Sequence, residues 1–122
     1  MKPEFKNLNP IEQEIAEYLY TYCDGINHAI SNEAISHKFG IDKRQIRSII
    51  TNLIVIHELP IGCSSTGRTG IYWCITEEDY EIAHRELISR IKQLSKRAKG
   101  LRTGWNRFKE DKLEQLSFGE IK

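Results

Sequence analysis

Gly40-Ile41-Asp42-Lys43-Arg44-Gln45-Ile46-Arg47-Ser48-Ile49-Ile50-Thr51-Asn52-Leu53 is the stretch whose reading decides the fold. A glycine closes what precedes it, and Asp42 opens the helix that follows. Ile46, Ile49, Ile50 and Leu53 recur at i, i+3, i+4 and i+7, which is one face of an α-helix. At about 100° per residue, Arg44, Ser48 and Thr51 point away from that face. Arg47, Gln45 and Asn52 flank them. A helix from Lys43 to about Ile56 is therefore expected, packed on one side and basic and hydrogen-bonding on the other.

Upstream, Ser31 is a good N-cap for a helix of about two turns that ends at Gly40, with Ala34, Ile35 and Phe39 facing inward. Ile26 to Ile30 is short and partly apolar, and reads as a brief strand that pairs with a later hairpin. Further back, Asn9-Pro10 is a helix start, followed by Glu12 and Glu14 in the first turn. Ile11, Ile15, Ala16, Leu19 and Tyr22 supply its apolar stripe, and Asp24-Gly25 stops it.

Downstream, Leu59 to Cys63 and Ile71 to Ile75 are rich in β-formers and flank the small polar loop Ser64 to Gly70. They predict a hairpin whose tip carries Arg68. Thr76 then caps a long helix with Glu77, Glu78 and Asp79 in its first turn. Tyr80, Leu87, Ile91, Leu94, Ala98, Leu101, Trp105 and Phe108 are separated by four and three residues in alternation, apart from one seven-residue step across His84, which keeps a seven-residue repeat over four heptads. That is a coiled-coil-like seam. It fits a second copy of the chain or a fold-back onto its own domain. A homodimer through Leu87, Ile91, Leu94, Leu101 and Trp105 is the expectation. Gly100 and Gly104 each cost that helix about 1 kcal/mol.

The organisation expected is thus α+β and mainly α: a domain over residues 9–76, a long basic helix over 77–109 and a flexible tail over 110–122. At 122 residues the chain can bury a core without staples. Its 39% hydrophobic and 29% charged content speaks against disorder, and no apolar run is long enough to span a bilayer. A cytoplasmic protein with no membrane partner is expected. Cys23, Cys63 and Cys74 form no CxxC pair, and no histidine stands at ligand spacing, so no metal or other cofactor is expected. No nucleophile-base pair or phosphate loop appears, so neither is enzymatic activity.

The net charge is only +1, but it is segregated. From Arg85 to Lys109 there are nine Lys/Arg and one acid, Glu86; from Lys38 to Arg47 there are four basic residues and Asp42. A helix with a basic, hydrogen-bonding outer side suits a DNA major groove.

The order helix, short strand, helix, turn, helix, hairpin resembles the winged helix-turn-helix superfamily. The residues that carry the likeness run from Ile30-Ser31-Asn32-Glu33-Ala34-Ile35 through Arg47-Ser48-Ile49-Ile50-Thr51-Asn52-Leu53. Leu59-Pro60-Ile61-Gly62, the loop and Gly70-Ile71-Tyr72 resemble the wing of small winged-helix proteins of phages and other bacterial mobile elements. The resemblance covers roughly Pro10 to Ile75 and is one of pattern. It implies contact with double-stranded DNA through Lys43, Arg44, Gln45, Arg47, Ser48 and Thr51, with Arg68 reaching from the wing. It also implies a transcription regulator or replication-associated factor. The wing departs from the pattern in carrying a single basic residue. Gln115-Leu116-Ser117-Phe118 resembles, without its second leucine, the Gln-Leu-x-Leu-Phe peptides that bind bacterial sliding clamps, which implies a replication partner. The alternative is a winged-helix protein–protein adaptor that binds no DNA. The near-neutral charge and the heptad seam favour that alternative.

Overall fold

Asn9 caps the first helix in both directions. Its side chain accepts from the Glu12 N–H at 2.9 Å, and the Glu12 carboxylate accepts from the Asn9 N–H at 3.0 Å. With Pro10 at the first helical position, this fixes α1 as Pro10–Tyr22. The computed structural model describes residues 5–64 and 70–121, with side chains of the last helix up to Gln115. The chain is α+β and mainly helical, with one two-stranded antiparallel sheet and a long C-terminal helix.

Ile26–His28 forms a single 3-10 turn, where a strand was expected. The expected pairing survives at one position, because Ile30 exchanges hydrogen bonds of 2.9 and 2.7 Å with Ile71. Gly25 and Cys23 likewise pair with Trp73 through bonds of 2.8 Å. The segment thus borders the hairpin without becoming a strand. α2 is Asn32–Phe39, with the Ser31 hydroxyl accepting from the Ala34 N–H. Ile35 is fully buried, whereas Ala34 is exposed, contrary to its expected inward position. α2 ends at Gly40, whose φ of 64° and ψ of 34° are left-handed, a conformation glycine adopts without a Cβ penalty. α3 is Lys43–Val55. Asp42 holds its N-cap position without a side-chain hydrogen bond to the helix.

β1 is Ile61–Ser64 and β2 is Gly70–Trp73, in the register Ile61 to Trp73, Gly62 to Tyr72 and Cys63 to Ile71. Cys63 therefore faces Ile71, and none of the three cysteines is in a disulfide. The core gathers Ile15, Ala16 and Leu19 of α1, Ile35 of α2, Ile46, Ile50 and Leu53 of α3, and Ile61, Ile71 and Trp73 of the sheet. Helices α1 to α3 and the hairpin thereby share one apolar interior.

Gly62 is required by its cross-strand neighbour. A Cβ there would lie 2.4 Å from Cζ of Tyr72, whose ring is fully buried and has no room to retreat. Gly62→Ala is expected to destabilise the fold by about 1–3 kcal/mol, read as a lower urea midpoint at unchanged slope.

α4, Glu77–Ile121, starts with a buried carboxylate. Asp79 accepts from the N–H groups of Ile26 at 3.3 Å, Ile75 at 3.2 Å and Thr76 at 3.3 Å, while Thr76 Oγ1 accepts from the Asp79 N–H at 3.1 Å. One side chain thus caps α4 and ties its start to the 3-10 turn 53 positions earlier. Burial pushes the Asp79 pKa up, but the donors of Ile75, Ile26 and Thr76 outweigh it and hold the carboxyl below its ordinary range. A lowered folded-state pKa stabilises above the unfolded-state value, and the benefit is lost as pH falls through the folded one. Wild-type melting temperature is therefore expected to drop below about pH 4 more steeply than that of Asp79→Asn. Parallel acid melts of the two proteins check this.

The helix expected to stop at Lys109 continues through the presumed tail to Ile121. The chain divides into two compact units, Met1–Glu86 and Leu87–Lys122, and α4 begins in the first and makes up the second. In the second unit Leu87, Ile91, Leu94, Leu101, Trp105 and Phe108 are all exposed. No helix among the described residues is long and apolar enough to cross a membrane.

Candidate nucleic-acid interface

The outer side of α3 is built by burial of its inner side. Ile46 and Leu53 are fully buried and Ile50 nearly so, which fixes the rotation of the helix about its axis. With that rotation set, Lys43, Arg44, Gln45, Arg47, Ser48 and Thr51 are all exposed. The start of α3 is positioned by the turn from α2. There the Ser36 hydroxyl donates to the Ile41 carbonyl, and the Ile41 N–H donates back to the Ser36 carbonyl at 3.0 Å. Past its end, His57 Nε2 lies 3.4 Å from Glu12 Oε1, with both side chains largely buried, and this joins the exit of α3 to α1.

The cations on this side differ in freedom. Lys43 Nζ is 3.8 Å from Glu33 Oε1, a pair exposed on both sides and worth little in water. Among the described residues, Arg44 and Arg47 make no ion pair, so both guanidinium groups can offer their donors to an external acceptor. Lys38, counted with them by sequence, instead lies over the Tyr18 ring with Nζ 4.8 Å from its centroid. Its charge is engaged by the fold.

Arg68 falls outside the described residues, as do the side chains of Leu116, Ser117 and Phe118 in the clamp-like motif. Leu87, Ile91, Leu94, Leu101 and Trp105 lie in the other unit, where all five are exposed. The sequence places Asn52 at the flank of the outer side and leaves Val55 unassigned. Asn52 is exposed one turn beyond Ser48, and Val55 is 68% exposed one turn beyond Thr51. The i+4 spacing from Ser48 and from Thr51 was the available signal. It is masked in Val55 by the apolar run Ile54 to Ile56, which is longer than one buried stripe needs.

Burial, and next to it Asp24, pushes the Cys23 thiol up to about 11. Burial, followed by Asp79 and Cys63, does the same to Cys74. Neither is a thiolate nucleophile near neutral pH. Among the described residues no group of three or more His, Cys, Asp or Glu is placed to hold a metal ion. No family model, curated protein or solved structure matches the chain.

Proposed function

We propose that the chain is a DNA-binding protein of the winged helix-turn-helix kind, homodimeric, acting as a transcription regulator or replication-associated factor. In this reading α3 lies in the major groove. Arg44 and Arg47 engage guanine edges or phosphates, and Lys43 engages phosphate. Gln45, Ser48 and Thr51 add hydrogen bonds, and Val55 offers an apolar contact suited to a thymine methyl group. The hairpin is the wing, with Arg68 at its tip toward backbone or minor groove. The basic run of α4 adds attraction without sequence preference.

One observation carries the reading. Six polar or basic side chains stand exposed along one side of a helix whose other side is anchored in the core, and its two arginines make no ion pair among the described residues. The test is an anisotropy titration of labelled duplex DNA across a salt series. Binding whose logarithm falls linearly with the logarithm of salt concentration supports the proposal; absence of binding at low salt overturns it.

A protein–protein adaptor is the second reading. It is favoured by the net charge of +1 and the exposed apolar seam of α4. Late elution from heparin, or nucleic acid carried through purification, separates the two in favour of DNA.

A further inference from the structure

In heptad positions lettered a to g, Ile91, Ala98, Trp105 and Lys112 of α4 occupy a, and Leu87, Leu94, Leu101 and Phe108 occupy d. All eight are exposed in the single chain. Position g holds Arg90, Arg97, Gly104 and Asp111; position e holds Ile88, Ser95, Arg102 and Lys109. These choices distinguish the ways in which two copies can pair.

A parallel pair sets each a residue against itself. Ala98 against Ala98 leaves a gap, and one heptad later Trp105 against Trp105 overfills the seam. Lys112 then meets Lys112. Position g also faces e of the partner's next heptad, so Arg97 faces the partner's Arg102 on both sides of the pair. Volume and charge both oppose this arrangement.

An antiparallel pair sets a against d. With Ala98 opposite the partner's Leu101, Trp105 falls opposite the partner's Leu94 and Ile91 opposite the partner's Phe108. Lys112 covers the partner's Leu87 with its aliphatic stem. Small or medium side chains meet larger ones in each apolar layer, as close packing needs. Along the flanks g meets g and e meets e. Arg90 then meets the partner's Asp111, Arg97 the partner's Gly104 and Arg102 the partner's Ser95. A shift of one heptad either way brings Arg97 or Arg102 onto the two-fold axis against its own copy. Of these three registers, only the central one joins opposite charges without setting like charges against each other.

We infer that two chains associate through α4 antiparallel in that register, with the Ala98 and Leu101 layers astride the two-fold axis. This rests on the self-association proposed above. The occupant of the seam is thus a second copy of the chain, and its selectivity lies in the Arg90–Asp111 pairs.

Sedimentation equilibrium on the full chain and four variants tests it. Arg90→Glu and Asp111→Arg are each expected to weaken the dimer about tenfold, because two-fold symmetry makes every change twice. Together they are expected to restore it to within about threefold of wild type, and Arg97→Glu alone to leave it unchanged. A double variant no better than the weaker single variant overturns the antiparallel register, as does tightening by Arg97→Glu, which a parallel pair would show. A wild-type chain that stays monomeric throughout instead removes the self-association beneath it. All three positions are exposed, and the melting temperature of each variant, read alongside, reports any loss of the interaction Arg90 makes within its own chain.

Discussion

Replacing Arg44 and Arg47 together with alanine is expected to weaken duplex DNA binding by about 2–4 kcal/mol, with the melting temperature of the protein unchanged. Both effects have the same origin. The two guanidinium groups are exposed and make no ion pair among the described residues, so no ion pair of those residues is lost when they go. Surface changes of that kind move stability by about 0.5 kcal/mol or less. In the proposed complex, each arginine is expected to contribute about 1–2 kcal/mol through charged, directional hydrogen bonds. The loss corresponds to roughly thirty- to a thousandfold in affinity. If both contacts are to phosphate, the salt dependence also shallows by about two units of slope. If both are to base edges, affinity for the preferred site falls toward that for random duplex while the slope changes less. Lys43→Ala is the internal control, because its ammonium already shares Glu33 and its loss should matter less. Unchanged affinity in the double arginine variant would take α3 out of the interface.

The second large effect concerns the rotation of α3 itself. Leu53→Ala is expected to cost about 2–5 kcal/mol, because Leu53 is fully buried and its removal leaves a cavity among core side chains. Val55→Ala, two residues on, is expected to change stability by no more than about 0.5 kcal/mol. Two aliphatic truncations on one helix should therefore differ severalfold in free energy, read from urea unfolding at matched slope. The contrast is informative because the run Ile54-Val55-Ile56 offers several candidate inner faces by sequence. Comparable costs at both positions would mean that α3 is turned by a large fraction of a revolution. The exposed side would then carry a different set of residues.

The helix boundaries of the first unit were legible where local chemistry dictates them. Asn9-Pro10 with Glu12, Ser31, and Gly40 each specify a cap within three or four residues, and the structure uses all of them. The inner face of α3 was equally legible, since its isoleucines and Leu53 repeat with the helical period. What the sequence concealed depends on residues far apart in the chain. Asp79 reads as one of three acids at a helix start, and nothing nearby reveals that it reaches back to the Ile26 N–H. Ile26 to Ile30 reads as strand, yet within it only Ile30 finds a strand partner, Ile71, which lies more than forty residues away. Gly62 reads as a loosening of a strand until Tyr72 is placed over it. α4 outran its expected end because mixed charge after Lys109 resembles a solvated tail, while the same residues are good helix formers. For the interface, exposure of Arg44, Gln45, Arg47, Ser48 and Thr51 followed directly from the helical period. The freedom of the arginines did not, since it depends on whether acids such as Glu33 reach them in space.

Selection from a pool of random duplex DNA by the wild-type chain near physiological salt addresses the central claim, that the outer side of α3 reads base sequence. Recovery of one enriched sequence is expected, bound about a thousandfold or more tighter than unrelated duplex. Enrichment of no sequence, or retention of no duplex even at low salt, would contradict it.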